Sequence, residues 1–560
     1  MPTFSPLRAA ALNFRISATR SISRRRLTTH ASSSTRRIDQ RLIIAGGVAL
    51  AVPTYMYLTR AKLDYQPDTV PDKVNSDVPD QVHSSKGGKE VNKIGSREVL
   101  EKKDGDEVWV VINGEVYNVT EFLDEHPGGR EIIENNGSKD VSYIFNPRHP
   151  SDQLQPENLP PSVIHLGQLE IESAYEKEQL AVKISKSEED EQNRIKQKRQ
   201  EYEEKGLGSI VNMRDFEVAA EELCSKVAWA YYASAADDEI TKNENNSDYK
   251  KIRFRPRVLR PVKEVDTSTK ILGYDSTIPL WISPAAMAKL GHPDGEVNLT
   301  KGAASTGIIQ CISSFASCSV EEITSARTSN QPLFFQLYVN SKRHLAEEVI
   351  SKVNRLGLNA ILLTVDAPIG GKRERDIRAK GEFEAPKTDA FDKQGETKGV
   401  AEAIFSAVDP DLNWKDLKWL KEKTKLPIII KGVQTVEDAV QAYKLGADGV
   451  ILSNHGGRQL DTTATGLSTL LEIREKENER KFSIFVDGGI WRGTDVVKAL
   501  CLGADAVGVG RGFLFAQTVA GVQGVEHAVK IFESEIQSTM RLLGANKLED
   551  LRPSMVDIVN

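Results

Sequence analysis

The residues best suited to chemistry lie in S-N-H-G-G-R-Q-L-D, positions 453–461. His455 offers a base that titrates near neutral pH. Arg458, three residues on, carries a planar fork that grips a carboxylate through two parallel hydrogen bonds. Asp366 can stabilise the imidazolium that forms once His455 takes a proton, and Lys431 brings a fixed positive charge. Two glycine-rich turns, D-G-G at 487–489 and G-V-G-R-G at 508–512, expose backbone N–H groups, and Arg511 adds charge. That combination suits a phosphate. Far upstream, His126 opens H-P-G-G, a turn so poor in side-chain bulk that a planar macrocycle can approach the backbone. His149 follows later in the same segment. Two histidines across an apolar slot can fill both axial positions of a haem iron. Such a site has no open position and carries electrons rather than activating oxygen. Neither His nor Cys in the same stretch completes a zinc set.

Elements able to position these groups are legible in the apolar runs. Eight β-branched runs alternate with helical patterns: 278–283, 308–313, 332–339, 360–366, 427–433, 449–455, 482–488 and 506–512. Near-continuous apolar strands predict a parallel sheet covered on both faces. Eight such units predict an α/β fold of the (β/α)8 TIM-barrel type, whose chemistry sits at the C-terminal strand ends. Gln336, Tyr338, Thr364, Asp366, Lys431, His455, Asp487 and Arg511 fall at those ends, where core packing alone does not call for polar groups. Ahead of the barrel, 93–170 reads as a small α+β module. It starts with two strands around Asn113-Gly114. Phe122, Tyr143 and Phe145 are expected as its pocket walls or core.

The 560 residues carry a net charge of −6, unevenly placed. Residues 1–63 hold ten Arg and Lys62 against Asp39, a balance of +10, so the remainder carries −6 − 10 = −16. An Arg- and Ser-rich leader followed by the apolar run 42–58 has the pattern of a bipartite signal for the mitochondrial intermembrane space. The run is either removed or kept as an inner-membrane anchor. Residues 64–92 read as a polar tether, 171–206 as a charged helical hinge, and 207–560 as the barrel domain. A polytopic membrane protein is excluded, since only 42–58 is continuously apolar. The basic leader is the single basic cluster, which leaves a nucleic-acid role unsupported. Cys224, Cys311, Cys318 and Cys501 form no C-x-x-C pair and are expected as buried, reduced thiols.

Residues 93–170 resemble a cytochrome b5 domain, and His126 and His149 match its axial haem ligands. Residues 210–550 resemble the FMN-dependent 2-hydroxy acid dehydrogenase/oxidase family. The resemblance implies oxidation of L-lactate or a related L-2-hydroxy acid to the 2-oxo acid. FMN and haem b are the implied cofactors, cytochrome c the implied acceptor, and a homotetramer the implied assembly. It implies His455 as the base, taking either the Cα or the hydroxyl proton, with Asp366 paired to it. Arg458 and Tyr231 bind the substrate carboxylate, Tyr338 meets the hydroxyl, and Arg373 adds a second positive charge. Implied FMN contacts are Pro284, Ala285, Ala286, Ser313, Gln336, Thr364, Lys431, Asp487, Gly488, Gly510 and Arg511. An oxidase that makes peroxide, or a dehydrogenase for a bulkier acid such as mandelate, is the alternative.

The match departs from the family pattern at three points. Trp491 replaces the first of two arginines after the D-G-G turn, leaving Arg492 or Arg511 to compensate. Ala235 stands where glycine is usual. Phe315 stands where the substrate pocket has a leucine, which favours a different side chain on the acid. Residues 377–403 are polar and predict a loop near the site mouth.

Overall fold

The computed structural model describes residues 92–102, 107–126, 130–156, 158–182, 185–381, 408–476 and 482–559. The leader, the apolar run 42–58 and nearly all of the tether lie outside the described residues, as do positions 127–129 of the H-P-G-G turn.

The first module is a four-stranded sheet in the order Lys93–Gly95, Ile164–Glu170, Glu115–Asn118, Trp109–Ile112. Its central hairpin turns at Asn113 and Gly114, with φ of 53° and 81°. Asn-Gly suits a two-residue turn in which both φ are positive. The period of two along Trp109–Ile112 then divides the module into two cores. Trp109 and Val111 pack with Ile94, Val99, Val116 and Leu180. Val110 and Ile112 pack with Tyr117, Val119 and Leu123, and Phe122 and Phe145 lie against that second core. Two expectations are corrected here. Leu180 belongs to the helix Ala174–Leu180, so the module runs past residue 170. Tyr143 is 60% exposed and is no pocket wall; its hydroxyl accepts from Gln192 Nε2 at 2.5 Å.

The charged hinge contains a 20-residue helix, Lys186–Lys205, closed at its start by a capping box between Ser185 and Glu188. No residue of it is buried, as opposite charges at helical spacing predict. Arginines tie it to the barrel domain. Arg194 donates to the carbonyls of Glu222 and Cys224, and Arg199 to those of Thr518 and Gly291.

All eight expected strands form, and they close into one parallel barrel. They are β1 (Leu280–Ile282), β2 (Ile309–Ser313), β3 (Leu333–Leu337), β4 (Ala360–Thr364), β5 (Ile428–Val433), β6 (Gly449–Leu452), β7 (Ser483–Asp487) and β8 (Ala506–Val509). Trp281, Ile309, Cys311, Phe334, Leu362, Ile429, Ile451 and Phe485 share one interior core. Leu272 and Tyr274 of the hairpin Thr269–Ser276 pack against it. A second, larger core lies between strands and helices. The barrel interior is therefore filled up to the C-terminal strand ends, where the residues turn polar.

The expected loop 377–403 begins as helix: Glu374–Gly381 continues with i,i+4 pairing of Glu374 and Arg378. Positions 382–407 lie outside the described residues. All four cysteines are free and buried, and burial pushes the Cys224 and Cys318 thiols up to about 12. Such thiols are inert at neutral pH.

Candidate active site and haem-binding site

One cavity of about 650 Å³ opens at the C-terminal end of the barrel. Every strand, or the residues just beyond its C-terminal end, contributes to its wall, and so do Tyr231, Lys242 and Asn245 from the helices that precede the barrel. Of the catalytic, substrate-binding and FMN-binding residues implied for the barrel, all but Asp366 line it.

Asp366 stands behind the wall. Its side chain is fully buried, and Oδ1 lies 2.9 Å from His455 Nδ1. Room for it comes from Gly432, where φ is +105° and a Cβ would sit 2.5 Å from the Asp366 side chain. Burial opposes the Asp366 charge, but His455 and Lys431 outweigh it and hold the carboxyl below its ordinary value. Burial also dominates at His455. Together with Lys431 and Arg373 it overcomes the pull of Asp366, so the imidazole pKa falls below 6.5. The ring is neutral at neutral pH, with Nδ1–H directed at Asp366 and Nε2 left as the base. Nε2 lies 3.3 Å from the Tyr338 hydroxyl. Burial raises the Tyr338 pKa well above 10, so this phenol stays a proton donor.

His455, Gly456 and Gly457 all have positive φ, at 60°, 66° and 76°. This left-handed run carries the chain from β6 to Arg458. Arg458 spends only Nη1 on the protein, donating to the carbonyls of Tyr231, Tyr232 and Ser234 at 2.8, 3.1 and 3.3 Å. Its guanidinium lies over the Tyr231 ring, 5.1 Å from the centroid. Arg373 is buried beside it and donates from Nε to the Arg458 carbonyl. Burial and then the Arg458 charge push the Arg373 pKa down to about 9. Two cations held together out of water call for an anion between them, and a carboxylate matches their forks.

The deeper wall fits a flavin. Ser283 Oγ, Gln336 Nε2 and Thr364 Oγ1 are buried without a partner, and all three residues line the cavity. Ser313 Oγ and the Ser314 N–H both donate to Gln336 Oε1, which leaves the amide N–H₂ unsatisfied. Unpaired buried groups are costly, so three in one cavity mark a missing polar ligand. Beside them Lys431 is buried, 3.2 Å from Asp487 and 3.0 Å from Ser453 Oγ. Burial works against its charge, but Asp487 and Asp366 prevail and its pKa is raised. It is a permanent cation on the cavity wall. Pro284, Ala285 and Ala286 leave that wall low, and Gly488 and Gly510 lie near the strand-seven and strand-eight phosphate position.

Arg492 does not compensate for Trp491. Its Nη1 donates to Glu535 at 2.7 Å, outside the cavity wall. The sequence alone does not single out Ser283, Lys242 or Arg214, and it gives Ser453 no role. Ser283 and Ser453 fall in the runs 278–283 and 449–455 and were visible as strand-end hydroxyls; Lys242 and Arg214 have no strand register to place them.

In the first module the His126 and His149 rings face each other with centroids 6.2 Å apart. One iron with an imidazole on each side needs about 6 Å, given metal–nitrogen bonds of about 2 Å. His149 Nδ1 lies 3.1 Å from the Phe145 carbonyl, which leaves Nε2 free to ligate. Its ring stacks on Phe145 at 4.0 Å, and burial pushes its pKa down to about 4, so it is neutral. The residues present fit a bis-histidine haem.

Comparison with known proteins finds relatives of both modules. Residues 220–558 match the FMN-dependent dehydrogenase family, and residues 96–186 match the cytochrome b5-like heme/steroid binding domain. An L-lactate dehydrogenase (cytochrome) from Wickerhamomyces anomalus is 44% identical, over 81% of this chain and 78% of its own. One from Saccharomyces cerevisiae is 42% identical, over 83% of this chain and 80% of its own. A crystal structure of a flavocytochrome b2 variant with pyruvate bound aligns with a TM-score of 0.61 at 42% identity, covering 67% of this chain and 92% of that one. The family match spans more than half of the chain and the lactate dehydrogenase relatives cover both modules, so the chain belongs to the FMN-dependent dehydrogenase family and carries a cytochrome b5-like haem domain.

Proposed function

We propose that this protein is an L-lactate dehydrogenase of the flavocytochrome b2 type, oxidising L-lactate to pyruvate. The observation that carries it is one cavity holding a neutral, aspartate-backed His455 and an arginine pair for a carboxylate, beside unpaired groups suited to a flavin. Bound FMN supplies a two-electron acceptor there, and haem b in the first module supplies a one-electron relay.

Arg458 and Arg373 hold the carboxylate, with Tyr231 beneath Arg458. That fixes the carbinol carbon relative to His455, which supplies the geometric part of the rate. His455 Nε2 takes one proton, and Asp366 stabilises the imidazolium. Tyr338 hydrogen-bonds the substrate oxygen, and Lys431 offsets negative charge on the cofactor. His126 and His149 are the haem ligands. The acidic body favours a basic acceptor, cytochrome c, and the leader favours the mitochondrial intermembrane space. The assembly is a homotetramer, as the family resemblance implies.

An anaerobic visible spectrum before and after L-lactate tests this. Flavin bleaching with sharp reduced b-type haem bands is expected; an unchanged spectrum sinks the proposal.

The pH dependence follows from the site. Protonated His455 cannot act as a base, so kcat/KM rises with pH along a limb below pH 6.5. Asp366→Asn removes the charge that raises the His455 pKa, so the limb moves to lower pH. The plateau falls about a hundredfold or more, because the imidazolium loses its counter-charge. A pH profile of both forms checks the direction.

Phe315 lines the cavity and stacks on Tyr338, with centroids 5.1 Å apart. Phe315→Ala opens space beside the carbinol carbon. The ratio of kcat/KM for mandelate over lactate is expected to rise about tenfold or more. An unchanged ratio places the substrate side chain elsewhere.

A further inference from the structure

We propose that Arg214, lying on Trp491, is a second cation, beside Arg511, that meets the phosphate of FMN. This rests on FMN occupying the barrel cavity. In a (β/α)8 barrel a phosphate sits at the ends of strands seven and eight. Here that end is built by Gly488, Gly489, Ile490, Trp491, Gly510, Arg511 and Gly512, all on the cavity wall. The turn brings no cation of its own, because Trp491 is neutral and Arg492 is engaged with Glu535.

Arg511 is only partly available. Burial and then Arg458 push its pKa down to about 9, and Nε, Nη1 and Nη2 each donate to a backbone carbonyl, of Tyr232, Gly456 and Ser234. It has two of five N–H groups to spare. Lys242 also lines this end, but its Nζ is 2.9 Å from Glu239.

Arg214 comes from the helix Met213–Leu223, ahead of the barrel. Its guanidinium carbon lies 3.8 Å from the centre of the Trp491 ring, within cation–π range. Nη1 donates to Glu217 at 2.6 Å and Nη2 approaches Asn246 Oδ1 at 3.4 Å. Asn246 in turn donates from Nδ2 to the Gly489 carbonyl at 2.8 Å, tying the guanidinium to the glycine turn. Glu217 also lines the cavity, and its carboxylate would repel a phosphate unless paired; Arg214 pairs it. Three N–H groups of Arg214 remain for phosphate oxygens. The indole thus acts as a platform that holds a borrowed guanidinium over the phosphate position, where an arginine on the turn would reach directly.

The test is titration of the full-length apoprotein with FMN and with riboflavin, which lacks the phosphate, read by quenching of flavin fluorescence. Arg214→Ala is expected to weaken FMN about tenfold, the size of one charge-assisted contact at a half-exposed site, and to leave riboflavin within about twofold. Arg214→Lys should recover part of the loss. Trp491→Arg added to Arg214→Ala should restore FMN affinity, by placing the cation on the turn itself. Equal losses of FMN and riboflavin would make Arg214 a structural support and overturn the proposal, as would no loss of either. If wild-type apoprotein binds neither flavin, the cavity assignment fails as well.

Discussion

His455→Gln is expected to lower turnover by about 10⁴-fold, at the upper end for loss of a general base. Glutamine reaches a similar distance and still hydrogen-bonds, but it cannot hold a proton taken from carbon or hydroxyl. The proposed carboxylate anchors are Arg458, which donates to the Tyr231 carbonyl, and Arg373, which donates to the Arg458 carbonyl. KM should therefore change much less than kcat, the pattern of an interaction used in the transition state. Single-turnover bleaching of the flavin by L-lactate isolates the step. His455 has φ of 60°, a conformation that glutamine tolerates poorly. His455→Asn is the companion, since asparagine accepts left-handed backbone. Both variants should keep their FMN content and flavin spectrum. Bleaching at the wild-type rate in either would remove His455 from its role as the base.

The barrel was legible because its strands are apolar almost without interruption, a pattern that only a sheet covered on both faces requires. The polar residues that end those runs then had one place to be. That is why Gln336, Thr364, Lys431, Asp487 and Arg511 converge on one cavity although they are spread over 176 positions, 511 − 336 + 1. Asp366 and His455 were paired for the same reason: each follows a strand end, and β5 alone lies between β4 and β6. Groups outside that register were not legible. Arg214 precedes the first strand, and nothing in the spacing of 214 and 491 brings them together. Arg492 points away because Glu535, on the last long helix, competes for it and also accepts from the Gly493 N–H. Tyr143 looked like a pocket wall because aromatic residues flank a histidine there. Its short helix Ser142–Phe145 turns one aromatic, Phe145, toward the core and leaves the other outside.

His149→Ala is expected to separate the two halves of the reaction. L-lactate should still bleach the flavin at close to the wild-type rate, while reduction of the haem and of cytochrome c falls to background. The physical basis is that the modules have separate cores: Phe145 and its neighbours share no core residue with the barrel. Damage at the haem therefore leaves the lactate site folded. Loss of one imidazole takes a closed, six-coordinate iron to one with an open position, or loses the haem altogether. Added imidazole distinguishes these, because it can enter the vacated place beside Phe145, where the His149 ring stacks at 4.0 Å. If haem is retained, imidazole should restore the six-coordinate spectrum and with it part of the electron flow to cytochrome c. Unchanged haem bands in the variant would mean that His149 is not a ligand. Loss of flavin bleaching would mean that the lactate site depends on the haem module for its structure. Retained cytochrome c reduction with the haem gone would mean that electrons leave the flavin by another path, and the first module would then have no place in the reaction proposed here.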